Sequence, residues 1–337
     1  MKIIGLFLII LLSLWGESNE NVETPKIKIA LIAAPSVVGR YSQSTYNVAL
    51  ATLMASNQPF ELVAYDLPNE SEAALSQTLE KIGRDNVHAI LAPLTLGGVK
   101  NLLAVCKTDT PIFIPTVHKR DIGAAPETII FGAIDYQAQI EALLPYMANT
   151  LAVFYDPSPI GLALSRTTQD IASEAKKSKK STLYSIDTQG SNIVKYLAKP
   201  SSFTKKSVVI HLPVVKTSML VAHLTFSGAR EHNILSTQIN FDPTLITLTQ
   251  YKDRKNMIVA NSIIEQVPSI YETNSLMNND LTFDWINYTT SVGIDYLIAN
   301  LSKTERAYSL RIIDSQIIYP VELMQPKEFG FEPFGSK

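Results

Sequence analysis

A chain of 337 residues exceeds one average domain, and with 46% hydrophobic residues it can bury two cores; it is neither a disordered nor a fibrous composition. The formal net charge is −2, so no basic excess is present to neutralise phosphates, and nucleic acid is not an expected partner. Cys106 is the single cysteine, which excludes an internal disulfide.

The first element is an export signal over 1–18. Lys2 supplies the positive start, and Ile3 to Trp15 is apolar apart from Gly5 and Ser13. The stretch falls short of the roughly 20 apolar residues that a bilayer span needs. Gly16 and Ser18 are small residues suited to a cut before Asn19. An uncleaved anchor is the alternative, because Trp15 crowds the cut. No cysteine stands directly after the apolar stretch, so a lipoprotein anchor is not expected, and a bacterial signal of this kind leads to the periplasm. A polar linker, 19–25, comes next.

From Lys26 the pattern alternates. Lys26 to Ala34 reads as a buried strand, Tyr41 to Ala55 as a helix and Phe60 to Tyr65 as a strand. Ser71 to Gly83 is a helix with Leu75, Leu79 and Ile82 on one face. Ala89 to Ala92 is a strand, Val99 to Lys107 a helix, and Ile112 to Ile114 and Thr128 to Phe131 are strands. Cys106 falls on the apolar face of its helix, where a buried small hydrophobe is the expected role.

The rhythm then restarts. Helices are expected over Tyr136 to Met147, Ile160 to Lys177, Asn192 to Leu197, Thr217 to Phe226 and Pro243 to Tyr251. Strands are expected over Leu151 to Tyr155, Thr182 to Ile186, Ser207 to Leu212, Ile234 to Ile239 and Met257 to Ala260. Asp284 to Leu301 is a long amphipathic helix, and Ser309 to Leu323 reads as strand, turn, strand. Such alternation implies βαβ units on parallel sheets, hence an α/β fold of two Rossmann-like lobes with a cleft between them. The doubled rhythm, together with the family resemblance that these stretches carry, gives boundaries of 26–131 with 261–304 for the first lobe, 132–260 with 305–325 for the second, and a tail at 326–337.

Catalytic motifs are missing. There is no glycine-rich dinucleotide or phosphate loop and no Gly-x-Ser-x-Gly elbow. The five histidines have no metal-ligand spacing, and no carboxylate pair falls in a recognisable frame. The chain therefore reads as a non-enzyme without a cofactor or metal.

Open parallel sheets bind ligands beyond the carboxyl ends of their strands. That rule nominates Ser36 and Tyr41 after the first strand, Thr95 and Gly97 after the third, and His118 after the fourth. In the second half it nominates Tyr155, Asp156 and Asp242. Thr95 can cap the helix that follows, and its open N–H groups would meet an anionic or carbonyl end of a ligand. His118 would add a hydrogen bond sensitive to pH. The ordinary role of each residue is a turn or a cap.

The same stretches carry a resemblance. Ala89 to Gly98, Pro111 to Thr116, Phe131 to Gln139 and Val153 to Gly161 are similar in character and order to the type I periplasmic binding proteins, the leucine/isoleucine/valine-type receptors. The resemblance spans Lys26 to about Gln325. Phe283 to Leu297 is similar to the closing helix of the penicillin-binding-protein activator branch. The resemblance implies a small molecule in the cleft and a membrane transporter or sensor as partner. The activator branch implies the alternative, a regulatory protein of an envelope enzyme such as a peptidoglycan synthase. It does not carry over an amino-acid ligand. Leu96 to Gly98 stand where the family binds carboxylate with serine, His118 stands near its threonine site, and Ile160 replaces its stacking tyrosine.

Overall fold

The computed structural model describes residues 27–175 and 179–335. The export segment, its cut and the linker lie outside the described residues. Strands are β1 Ile27–Ala33, β2 Phe60–Asp66, β3 Ala89–Leu91, β4 Ile112–Ile114, β5 Ile129–Phe131, β6 Thr150–Tyr155, β7 Lys180–Ser185, β8 Ser207–His211, β9 Asn233–Ser236, β10 Met257–Asn261, β11 Arg311–Ile313, β12 Gln316–Ile318, β13 Glu322–Pro326 and β14 Phe331–Pro333. Helices in the first half are α1 Pro35–Val38, α2 Arg40–Ala55, α3 Glu72–Arg84 and α4 Leu96–Val105. Next come α5 Tyr136–Leu143, α6 Pro159–Glu174, α7 Ile193–Tyr196 and α8 Val214–Ser227, and the last four are α9 Pro243–Leu248, α10 Tyr251–Arg254, α11 Pro268–Leu276 and α12 Trp285–Ser302.

The strands form two seven-stranded sheets, in the orders β11-β12-β5-β4-β3-β1-β2 and β14-β13-β10-β9-β8-β6-β7. Six consecutive strands of the first sheet, β12 to β2, and five of the second, β10 to β7, are parallel, as the alternation requires. The buried runs explain why both faces of each sheet must be covered. In β1, Ile29, Leu31 and Ala33 enter one core, and Ala30 and Ile32 enter the core on the opposite face. In β6, Ala152 and Phe154 face one core while Leu151 and Val153 face the other. Side chains alternate along a strand, so a continuous apolar run needs helices on both sides.

The chain crosses between sheets more than once. It leaves the first sheet after Phe131, builds β6 to β10, and returns so that α12 packs Tyr288, Val292 and Leu297 onto the first sheet. The tail end differs from expectation. Arg311 to Ile318 does not join the second lobe: β12 lies parallel to β5, and the Phe131 N–H donates to the Ser315 carbonyl at 2.8 Å. The hairpin turn has Asp314 and Ser315 both at positive φ, 49° and 59°, which suits the right-handed strand twist. Only after Pro320 does the chain pass to the second sheet, where β13 runs antiparallel to β10. The expected tail supplies a further strand, β14, at that sheet's edge, and α11 fills a stretch with no sequence expectation.

In both sheets the first strand of the half, β1 or β6, has its successor on one side and the next strand on the other. The loops leaving these strands diverge, which opens a crevice at their carboxyl ends.

Candidate functional site

The crevices of the two sheets meet in one cleft of about 590 Å³. From the first lobe, Val37, Val38 and Tyr41 reach it after β1, Pro93 and Thr95 after β3, and Pro115 and Thr116 after β4. From the second lobe come Tyr136, Ile160, Gln238 and Ile239. The crossings add Ala133 and Ile134 on one side and Phe283 to Ile286 on the other.

Local chemistry sets each wall. Gly39, at φ 56° and ψ −132°, breaks the chain between α1 and α2 in a conformation that side-chain-bearing residues avoid. The break lets α2 start afresh and carries Tyr41 to the cleft, 40% exposed, with the Arg40 guanidinium 5.5 Å over its ring. Gln238 is held by a buried polar network. Its N–H donates to Gln139 Oε1 at 2.9 Å, and its Oε1 accepts from the Ser262 N–H at 2.7 Å. Because a backbone donor fixes Oε1, the amide orientation is set and Nε2 is left without a partner among the described residues. Asp284 caps α12 by accepting from the Asn287 N–H at 3.0 Å. Burial pushes its carboxyl above the ordinary value and Asp280 adds to this, while the Asn287 and Ile286 amides and Arg40 oppose it. The Tyr136 hydroxyl is pushed up by burial and by the proximity of Tyr41.

Two of the eight nominated residues, Tyr41 and Thr95, line this cleft. The others do not converge there. Ser36 donates to the Pro68 carbonyl at 3.1 Å. Gly97 sits in the first turn of α4, beside Thr95 but outside the lining. Tyr155 ends β6 within the second sheet. Asp156 folds back on its own turn, accepting from the Ser158 N–H at 3.2 Å and facing Lys216 Nζ at 3.8 Å. Asp242 caps α9 through the Thr244 N–H at 2.7 Å. These short polar side chains are consumed by the strand-to-helix turns that carry them.

His118 lies in a separate depression with Arg120 and Asp135. Its Nδ1 accepts from the Arg120 N–H, and its Nε2 lies 3.6 Å from Asp135. Burial lowers its pKa, against the pull of Asp135. Burial by itself would raise the Asp135 carboxyl, but the Arg120 guanidinium and the Ala138 N–H outweigh that and hold it below its ordinary value.

The N-terminus of α4 was expected to receive a ligand. The Thr95 side chain does cap that helix, accepting from the Gly98 N–H at 3.1 Å. The Thr95 N–H, however, donates to Glu70 Oε1 at 3.0 Å, and its hydroxyl donates to Glu70 Oε2. Glu70 is 8% exposed, and its carbonyl is held by Asn101 Nδ2 at 2.8 Å. Gly98 is required here, since a Cβ would collide with the Glu70 carboxylate. Glu70 and Gln238 give no signal in the sequence, because nothing local marks a side chain that acts 25 residues away, and Phe283–Ile286 reads there only as the start of a closing helix and not as a cleft wall.

No protein-family profile matches the sequence, and no curated protein matches it either. Solved structures do. A branched-chain amino acid ABC transporter protein from Rhodospirillum rubrum superposes with a TM-score of 0.67 at 9% identity, over 92% of this chain and 100% of the other. A branched-chain amino acid ABC transporter periplasmic ligand-binding protein from Burkholderia xenovorans gives 0.67 at 12% identity, over 92% and 95%. A leucine-binding protein from Thermotoga maritima gives 0.64 at 13% identity, over 91% and 97%. What these proteins share with the chain is the fold, two parallel-dominated sheets with flanking helices. The chain has the two-lobed fold of the type I periplasmic binding proteins.

Proposed function

We propose that the chain is an extracytoplasmic solute receptor that takes a small molecule between its lobes and presents it to a membrane transporter or sensor. The observation that carries this is the cleft. Both lobes contribute to it at the carboxyl ends of their strands, and its volume of about 590 Å³ lies within the usual size of a small-molecule site. Apolar and aromatic side chains dominate its walls, with Asp284, Gln238, Thr95 and Thr116 as polar groups, which is how such sites combine affinity with orientation. The structural neighbours named as binding proteins point the same way. No helix among the described residues is long and apolar enough to cross a membrane, and the apolar leader at 1–18 fits export to the periplasm with cleavage.

The test is native mass spectrometry of the chain purified from an envelope fraction, paired with small-angle scattering. A retained small molecule, and a smaller radius of gyration with it than without, is the expected result, since such receptors close about their hinges. A chain that carries nothing and keeps one shape with every solute offered would refute the receptor.

One observation favours the second reading, an envelope regulatory protein. On α8, Val215, Met219 and Phe226 are 54%, 38% and 90% exposed and repeat on one helical face, with Leu248 beside them. Exposed apolar patches of this kind mark protein contacts. Crosslinking through a Met219→Cys variant in intact envelopes tests it.

A further inference from the structure

The receptor reading leaves the class of solute open, and the inference that follows rests on that reading. Beside the Tyr41 hydroxyl, the first-lobe wall carries two threonine hydroxyls that could meet a ligand's carboxylate, Thr95 and Thr116. Both are already spent. Thr116 donates to the Leu94 carbonyl at 2.5 Å. Thr95 gives both its N–H and its hydroxyl to the buried Glu70 carboxylate. An anion brought to the start of α4 would find its place held by a carboxylate of the chain and would be repelled by it. No lysine or arginine is among the described residues lining the cleft, and the nearby Arg40 guanidinium lies over the Tyr41 ring.

The one formal charge that remains in the lining is negative, beside the unpartnered N–H donors of Gln238 and Trp285. Asp284 lines the cleft with no cation within ion-pair distance among the described residues, and the Arg40 charge favours its ionised form only from further away. Tyr41, Tyr136, Phe283 and Trp285 line the same space. A cation in a partly desolvated site needs a counter-charge, and aromatic faces add attraction of their own.

We propose that the cleft selects an organic cation, an amine or ammonium on an apolar body without a carboxylate, held by Asp284 and the aromatic side chains around it. The chain's own Glu70 blocks the site where a carboxylate would otherwise dock. Asp284 also caps α12, so its charge must be separated from its capping role. Asparagine caps a helix as well as aspartate does, which makes Asp284→Asn the informative variant.

The experiment compares 2-phenylethylamine, phenylalanine and 3-phenylpropionate by titration calorimetry and ligand-observed NMR on the chain. The amine is expected to bind at least about tenfold more tightly than either carboxylate, the factor set by one charge-assisted hydrogen bond. Asp284→Asn is expected to lose at least about tenfold of that binding with its unfolding midpoint unchanged. Glu70→Ala is expected to gain binding of 3-phenylpropionate, because it frees the Thr95 donors. Equal or tighter binding of phenylalanine to the unaltered chain, or an Asp284→Asn variant that keeps the amine, overturns the inference and leaves the receptor standing. A chain that binds none of the three but retains a carboxylate-bearing solute overturns it too. A chain that binds nothing and never closes brings down the receptor reading, and the inference falls with it.

Discussion

At the scale of single residues, the tightest constraint is a glycine facing a ring. Gly293 lies in α12 with the buried Phe113 ring directly against its Cα, and a Cβ there would fall deep inside the ring's van der Waals surface. Alanine within a helix normally gains about 1 kcal/mol over glycine. Overpacking a full core costs about 1–3 kcal/mol, and here the neighbour is a rigid ring with no room to retreat. Gly293→Ala is therefore expected to destabilise by about 2 kcal/mol in urea unfolding. Phe113→Leu in the same chain should recover part of the loss, as contacting residues are not additive. A stabilised Gly293→Ala would show that helix propensity wins.

A second residue-scale constraint is His211. It is 1% exposed, shares a hydrogen bond with Thr168 at 2.7 Å, and burial pushes its pKa down to about 3. The unfolded chain takes up this proton near pH 6.5 while the folded chain refuses it until about pH 3. Protons thus favour the unfolded state in that window, and stability falls as pH drops through it. Between pH 7 and pH 5 the loss from this group is about 2 kcal/mol. His211→Gln should remove that part of the acid sensitivity. Identical losses in both chains over this range would contradict the assignment.

Between elements, the loop after β4 is clamped to the start of α5. Arg120 grips Asp135 with both nitrogens, at 3.0 and 2.7 Å, across the first crossing. Asp135 also caps α5 through the Ala138 N–H at 3.0 Å. The pair is substantially exposed, with Arg120 at 50%, so the ion pair contributes no more than about 1 kcal/mol. Losing the cap costs about another 1 kcal/mol. Asp135→Ala is expected to lower the melting temperature more than Arg120→Ala; the reverse order would mean that the charge, and not the cap, holds this junction. The other elements divide by how locally they are encoded. β1, β6 and β8 were legible because their apolar runs are continuous, and α3 and α12 because period and caps agree. The Arg311–Ile318 hairpin was legible as a hairpin but not as part of the first sheet. Its pairing with β5 is made to a strand almost 200 positions earlier, as the Lys119 N–H to Gln316 Oε1 bond at 2.9 Å also shows.

For the whole molecule, the sequence by itself determined the α/β class and the doubling into two lobes. Both are written in local periodicity and in the spacing of strands and helices. Only the tertiary structure decided which loops converge. Ser36, Asp156 and Asp242 have the right polarity and follow the right strands, yet each satisfies a neighbour in its own turn or the adjacent loop. Thr95 reaches the cleft, but a distant Glu70 takes its donors. A short polar side chain looks the same in sequence whether it caps a helix or faces a ligand. The difference is whether a partner already lies within hydrogen-bond distance, and that is fixed by packing between segments far apart in the chain.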